Sequence, residues 1–188
     1  MSERATRIVD TLLGLDPLSE LPRTGWLLRG IRPCESIADH SYAVTVTVML
    51  LVDALRDEGV EVDGERALRM ALVHDAPEAK TGDVPMPQKT PAVDAALEAL
   101  EDTLARRTLP EAQRAAWREA EDGESLEARI VKAADKIQMM TKALAYERQR
   151  RGDLHEFWAN EANFRDRGLT VAAEVFALLR RRHAHPEE

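Results

Sequence analysis

Ala71-Leu72-Val73-His74-Asp75-Ala76-Pro77-Glu78-Ala79-Lys80-Thr81-Gly82-Asp83-Val84-Pro85-Met86-Pro87 is the stretch around which the chain is organised. Apolar residues run into a His74-Asp75 pair. Glu78 follows one helical turn later, and Asp83 stands directly behind a glycine. Four ionisable groups at the end of an apolar helix are poorly explained by packing, because an uncompensated buried charge costs several kcal/mol or more. Three carboxylates this close also repel one another, and a cation among them is the simplest remedy. Pro77 predicts an element boundary, and the prolines at 85, 87 and 91 predict an irregular loop over 82–91.

The flanking sequence predicts helices throughout. Residues 65–76 form the helix that delivers the His-Asp pair. Ser36-Ile37-Ala38-Asp39 has capping-box spacing, which makes Ser36 the N-cap of a helix over 36–56. Tyr42, Val46, Met49 and Val52 fall on one side of it and Val44, Val48, Leu51 and Leu55 on another, so this helix should be central. Residues 4–15 read as a short helix and 18–33 as a loop holding Arg23, Trp26, Arg29 and Arg32. Further on, 92–108 and 110–120 are helical. Leu126, Ile130, Ala133, Ile137, Met140 and Leu144 make an apolar stripe on a long helix over 125–150, and helices over 155–163 and 169–182 follow. Hairpin pairs and internal repeats are absent from the pattern. The expectation is an all-α fold in one domain over 1–188, with a motif-bearing core at about 21–150 and C-terminal helices at 151–182.

Composition narrows the function classes. The chain has 188 residues, 44% hydrophobic and 32% charged, with a formal net charge of −8. Such an acidic molecule is a poor candidate for wrapping nucleic acid. No apolar run approaches the roughly 18 residues of a membrane span, and no signal peptide is read at the N-terminus. The single cysteine, Cys34, rules out an intramolecular disulfide and a cysteine-based zinc site, and it suits a reducing cytoplasm.

Two more polar residues interrupt apolar helices: His40, in the first turn after Ser36, and Asp135, in the middle of the long helix. With His74 and Asp75 they offer two imidazoles and two carboxylates. That donor set suits one divalent transition ion (Mn, Co, Fe, Ni or Zn) better than calcium. Taken singly, each residue has a bland reading: a helix-start histidine, a surface acid between Lys132 and Lys136, acids near helix ends. Met139, Met140, Trp117 and Trp158 read as core or interface, His155 as structural, and His183 and His185 as solvated tail residues.

The ordered set resembles the HD superfamily of metal-dependent phosphohydrolases, and within it the 5′-deoxynucleotidase branch. The matching segments are Glu35-Ser36-Ile37-Ala38-Asp39-His40-Ser41, His74-Asp75 through Glu78, Gly82-Asp83, Pro85 and Pro87, and Lys132-Ala133-Ala134-Asp135. The resemblance implies that His40, His74, Asp75 and Asp135 bind the metal. It implies that Glu78 positions or deprotonates the attacking water and that Asp83, kept protonated by crowding with other acids, protonates the leaving oxygen. Trp26 matches an aromatic that lines the sugar pocket. The branch places an arginine directly before that tryptophan. Gly25 stands there in this chain, with Arg23 and Arg29 nearest. Arg23, Arg29, Arg32 and Lys80 are the basic side chains expected near the phosphate. No histidine lies between His74 and Asp135, which argues for one ion rather than two.

The implied activity is hydrolysis of (deoxy)nucleoside 5′-monophosphates by a homodimer, with the C-terminal helices available for the contact. The rivals are another HD phosphohydrolase acting on guanosine tetraphosphate, a dNTP or a cyclic nucleotide, and a non-catalytic nucleotide-binding module.

Overall fold

A computed structural model describes residues 2–85 and 90–185, so Met86 and Pro87 of the proline-rich loop lie outside the described residues. The elements in order are α1 (Glu3–Leu15), a 3-10 turn (Asp16–Ser19), α2 (Thr24–Leu27), α3 (Ile37–Asp57), α4 (Gly64–Val73), α5 (Glu78–Thr81), α6 (Pro91–Thr108), α7 (Glu111–Asp122), α8 (Leu126–Arg148), α9 (His155–Ala159), a second 3-10 turn (Glu161–Phe164) and α10 (Thr170–Ala184). Among the described residues there is no β-strand, only an isolated bridge between Pro22 and Ser36.

The two longest helices form the frame. α3 starts where the Ser36 side chain accepts from the Asp39 N–H and the Asp39 carboxylate accepts from the Ser36 N–H, the reciprocal capping box. Ser125 caps α8 in the simpler way, accepting from the Ala128 N–H. α3 packs against α8 and α4, α4 also meets α7 and α8, and α10 lies on α8. The common core takes Val44, Val48, Leu51 and Leu55 from α3, Ala67, Met70 and Ala71 from α4, and Ile130, Ala133, Ile137, Met140 and Leu144 from α8. Burying each large apolar side chain contributes about 1.5–3 kcal/mol.

The sequence expectations hold for the long helices and fail in short segments. The expected loop over 18–33 contains α2, a single turn too short to show periodicity. The expected helix over 155–163 breaks at Asn160, whose side chain accepts from the Ala162 N–H and starts a 3-10 turn instead. α3 is 21 residues long and holds an 18-residue stretch with a mean hydropathy of 1.2, enough for a membrane span by length and composition. That exceeds the expectation from the sequence. Only one side of it enters the core: Tyr42, Met49 and Leu50 are exposed. His183 is not a solvated tail residue. Its ring stacks on Trp158 at 4.0 Å, and its Nδ1 lies 3.0 Å from Glu147.

Candidate active site

Three helices bring His40, His74, Asp75 and Asp135 together. His40 sits in the first turn of α3, fixed by the capping box beneath it. His74 closes α4, and Asp75 enters the turn that follows. Asp135 projects from the middle of α8, directly after the buried Ala133-Ala134 pair. One ligand atom from each of His40, His74 and Asp135 lies within 4.8 Å of the others. The Asp75 Oδ2 is 3.5 Å from His40 Nε2 and 3.3 Å from His74 Nε2, and Asp135 Oδ1 is 3.3 Å from His40 Nε2.

These histidines have their lone pairs to spare. The Nδ1 of His74 is 2.8 Å from the Ala71 carbonyl, which can only accept, so the proton is on Nδ1. The Nε2 atoms of His40 and His74 are buried without a hydrogen-bond partner and face carboxylate oxygens. Leaving a buried polar atom unmade costs about 1–3 kcal/mol. Two imidazole lone pairs and two carboxylates facing one another are what a divalent cation resolves, so the residues present fit a metal.

The site is crowded with charge. Arg23 NH1 stands 3.4 Å from Asp75 Oδ2, 3.4 Å from Asp83 Oδ1 and 3.9 Å from Glu78 Oε2, with only 17% of its side chain exposed. Burial alone would disfavour this charge, but Asp75, Asp83, Asp135 and Glu78 hold its pKa above the ordinary arginine value. Burial works against ionised Asp75 too. His74, His40 and Arg23 overcome it and hold this carboxyl below the usual range. Asp135 is lowered as well, with Lys136 and His40 offsetting its burial. Glu78 goes the other way. Burial and the neighbouring Asp75 push its pKa up to about 10 against the pull of Arg23, and its Oε2 has no hydrogen-bond partner.

The crowding expected at Asp83 therefore falls on Glu78. Gly82 ends α5 with φ 71° and ψ 170°, a conformation only glycine enters at low cost. The chain then turns Asp83 back onto α2. There its Oδ2 accepts from the Thr24 N–H at 2.6 Å and the Gly25 N–H at 3.4 Å. Asp83 meets donors, including Arg23, and its charge adds to the crowding at Glu78.

A cavity of about 380 Å³ opens over this cluster. Arg23, Trp26, Arg29, His74, Asp75, Glu78, Asp83 and Asp135 all line it. Trp26 is only 2% exposed and is as much core as wall, with Phe157 stacked on it at 4.8 Å and Tyr146 edge-on at 5.4 Å. Arg29 pairs with Glu156, which also lines the cavity. Lys80 is a correction. It is exposed and absent from the lining, because positions two apart on a helix face different ways and Glu78 takes the inward one. Arg32 is likewise exposed and outside the lining. The sequence reading missed Phe157, Asn160 and Asn163, which also line the cavity. Their segment is short and carries no motif. Lys136, also in the lining, was signalled only by adjacency to Asp135.

Comparison with known proteins agrees with this arrangement. The HD domain profile matches residues 15–173. The chain is similar to the 5′-deoxynucleotidase of Xenopus laevis (33% identical over 153 residues, 77% of this chain and 73% of that protein). It is also similar to that of Schizosaccharomyces pombe (34% over 170 residues, 84% and 83%). A crystal structure of a Pyrococcus horikoshii OT3 protein superposes with a TM-score of 0.81 at 34% identity, covering 92% of this chain and 98% of that one. With two imidazoles and two carboxylates converging from α3, α4 and α8 beneath one cavity, and a family match over most of its length, this chain belongs to the HD domain family.

Proposed function

We propose that the protein is a metal-dependent phosphomonoesterase that releases phosphate from deoxynucleoside 5′-monophosphates. The observation that carries this reading is the pair of buried Nε2 atoms, on His40 and His74, that make no hydrogen bond and face Asp75 and Asp135 beneath the cavity. The similarity to 5′-deoxynucleotidases supports the choice of substrate class. The cavity, about 380 Å³, is at the small end of the range for small-molecule sites and suits one mononucleotide.

His40, His74, Asp75 and Asp135 are the proposed ligands of one divalent transition ion. When bound, such an ion supplies Lewis-acid polarisation of a phosphoryl oxygen and acidifies water. Arg23 offers its guanidinium to the transferring phosphoryl group from within hydrogen-bonding reach of Asp75 and Asp83. Glu78 is the proton carrier for the attacking water. Its buried Oε2 makes no hydrogen bond, and added positive charge beside Asp75 draws its pKa down from about 10. Asp83 sits on the same wall next to Arg23, held there by donors, and is proposed to relay the proton that Glu78 takes from water to the leaving 5′-oxygen. Trp26, backed by Phe157 and Tyr146, gives the sugar a rigid wall.

We also propose a homodimer acting in a reducing, cytoplasmic setting. The exposed apolar side chains Leu12, Tyr42, Met49 and Leu72 line one groove between α1, α3 and α4. That face supports the contact better than α10 does, where Leu178 is the large apolar side chain left exposed among the described residues.

A panel of nucleoside and deoxynucleoside monophosphates tests the function, each assayed with Mn²⁺, Co²⁺, Ni²⁺ and Zn²⁺ after chelator treatment. Phosphate release from a deoxynucleoside monophosphate that depends on added ion supports it. Pyrophosphate or triphosphate release from a longer nucleotide would move the assignment to another phosphohydrolase class.

A further inference from the structure

Behind the candidate metal site lies a buried polar network to which no role has been assigned. Its centre is Glu35, the residue before the Ser36 cap, with 2% of its side chain exposed. Glu35 Oε1 accepts from the Trp26 indole N–H at 2.8 Å. Glu35 Oε2 accepts from the Gln138 amide nitrogen at 3.0 Å, with Lys142 Nζ 3.4 Å away. The Gln138 Oε1 is 2.7 Å from His40 Nδ1. The Glu35 backbone N–H donates to the Tyr146 hydroxyl at 2.9 Å. Asp135, Gln138, Lys142 and Tyr146 succeed one another at three- and four-residue steps along one face of α8. One helix face therefore carries a candidate ligand, the amide behind another ligand, and the aromatic that packs on Trp26.

The direction of the chain of hydrogen bonds is fixed by which groups can only give and which can only take. An indole N–H and an ammonium only donate, and both Glu35 oxygens face donors, so Glu35 stands here as a carboxylate. The Gln138 amide must turn its NH₂ toward that carboxylate. Its carbonyl oxygen then faces His40 and can only accept, so the imidazole proton is on Nδ1. Nε2 is left as a bare lone pair aimed at Asp75 and Asp135.

We propose that Glu35 and Gln138 are positioning residues that set the tautomer and orientation of His40 for the divalent ion. Glu35 also ties that ligand to Trp26 in the pocket wall. The inference rests on the reading of His40 as a metal ligand. Partners of this kind behind a ligating histidine typically alter ion affinity by about 10- to 100-fold when changed.

The test is a directional swap in the full-length protein. Glu35→Gln is near-isosteric and still accepts from Trp26, but it presents an NH₂ to Gln138. Gln138 must then reverse and offer its own NH₂ to His40, which drives the imidazole proton onto Nε2. The double variant Glu35→Gln/Gln138→Glu restores the original direction. The carboxylate introduced at position 138 accepts from the amide at position 35 on one oxygen and from His40 Nδ1–H on the other, one turn from Lys142.

Imidazole ¹H–¹⁵N correlation spectra of the metal-free protein report the tautomer, and Mn²⁺ titration reports affinity. The expected result is an Nδ1–H tautomer in the unsubstituted protein. The single variant moves to Nε2–H and loses about 10- to 100-fold in Mn²⁺ affinity. The double variant recovers both within a few-fold. An unchanged tautomer and affinity in Glu35→Gln overturns the proposal, as does failure of the double variant to recover either while its far-ultraviolet spectrum stays native. If the unsubstituted protein binds Mn²⁺ yet hydrolyses no nucleotide, the functional reading falls and the tautomer and affinity results still decide this one.

Discussion

Glu78 is a carboxyl group whose surroundings deny it a charge, and its replacement separates chemistry from binding. Glu78→Gln keeps shape and packing but cannot carry the proton. Turnover should fall by about 10²- to 10⁴-fold, with Mn²⁺ affinity unchanged by calorimetry. Its raised pKa also has a sign in stability. A folded-state pKa of about 10 against an ordinary 4.5 means that the native protein binds the extra proton between those values. Stability of the metal-stripped protein should therefore fall as pH rises from about 5 to 9, and His74, with its raised pKa, acts in the same direction just above its ordinary value. Thermal melts of Glu78→Gln across that window should show a flatter slope; an equally steep one would contradict the shift. Asp83→Asn should cost much less with a nitrophenyl phosphate, whose leaving group needs no proton, than with a nucleotide. His40, His74, Asp75 and Asp135 stood out in the sequence because two imidazoles and two acids interrupt apolar helices in a defined order, and the structure brings them together. The sequence was silent on Gln138, since a glutamine on a helix has no distinctive pattern until its neighbours in space are known.

The elements carry the site through their ends. Ser36→Ala removes one half of the capping box and should destabilise the protein by about 1 kcal/mol in urea titration. His40 lies in the same turn, so Mn²⁺ affinity should drop with it. A loss of stability without any loss of affinity would show that the cap does not orient the ligand. The legibility of each element follows from its length. α3 and α8 announce themselves by a cap and five to six turns of apolar periodicity, whereas α2 and α9 are one turn each and owe their shape to tertiary contacts. Trp26 shows the same limit. Its presence near the site was legible, but its burial between Tyr146 and Phe157 depends on partners about 120 and 131 residues away.

At the scale of the molecule, the apolar face of α1, α3 and α4 predicts an assembly. Leu12→Glu/Met49→Glu should convert the species seen by light scattering from dimer to monomer, with helicity retained, since both residues are exposed in the single chain. The unsubstituted protein running as a monomer at micromolar concentration would end that idea. Removing the ion should lower the melting temperature, and adding Mn²⁺ back should restore it in proportion to occupancy. Arg23, resting against Asp75 and Asp83 with Glu78 close by, has a consequence for how this protein matures. A guanidinium already balances much of the acid there, so the polypeptide does not have to wait for its inorganic partner. Refolding from urea with a chelator present should regain the full helical signal, and the finished scaffold should load its cation last.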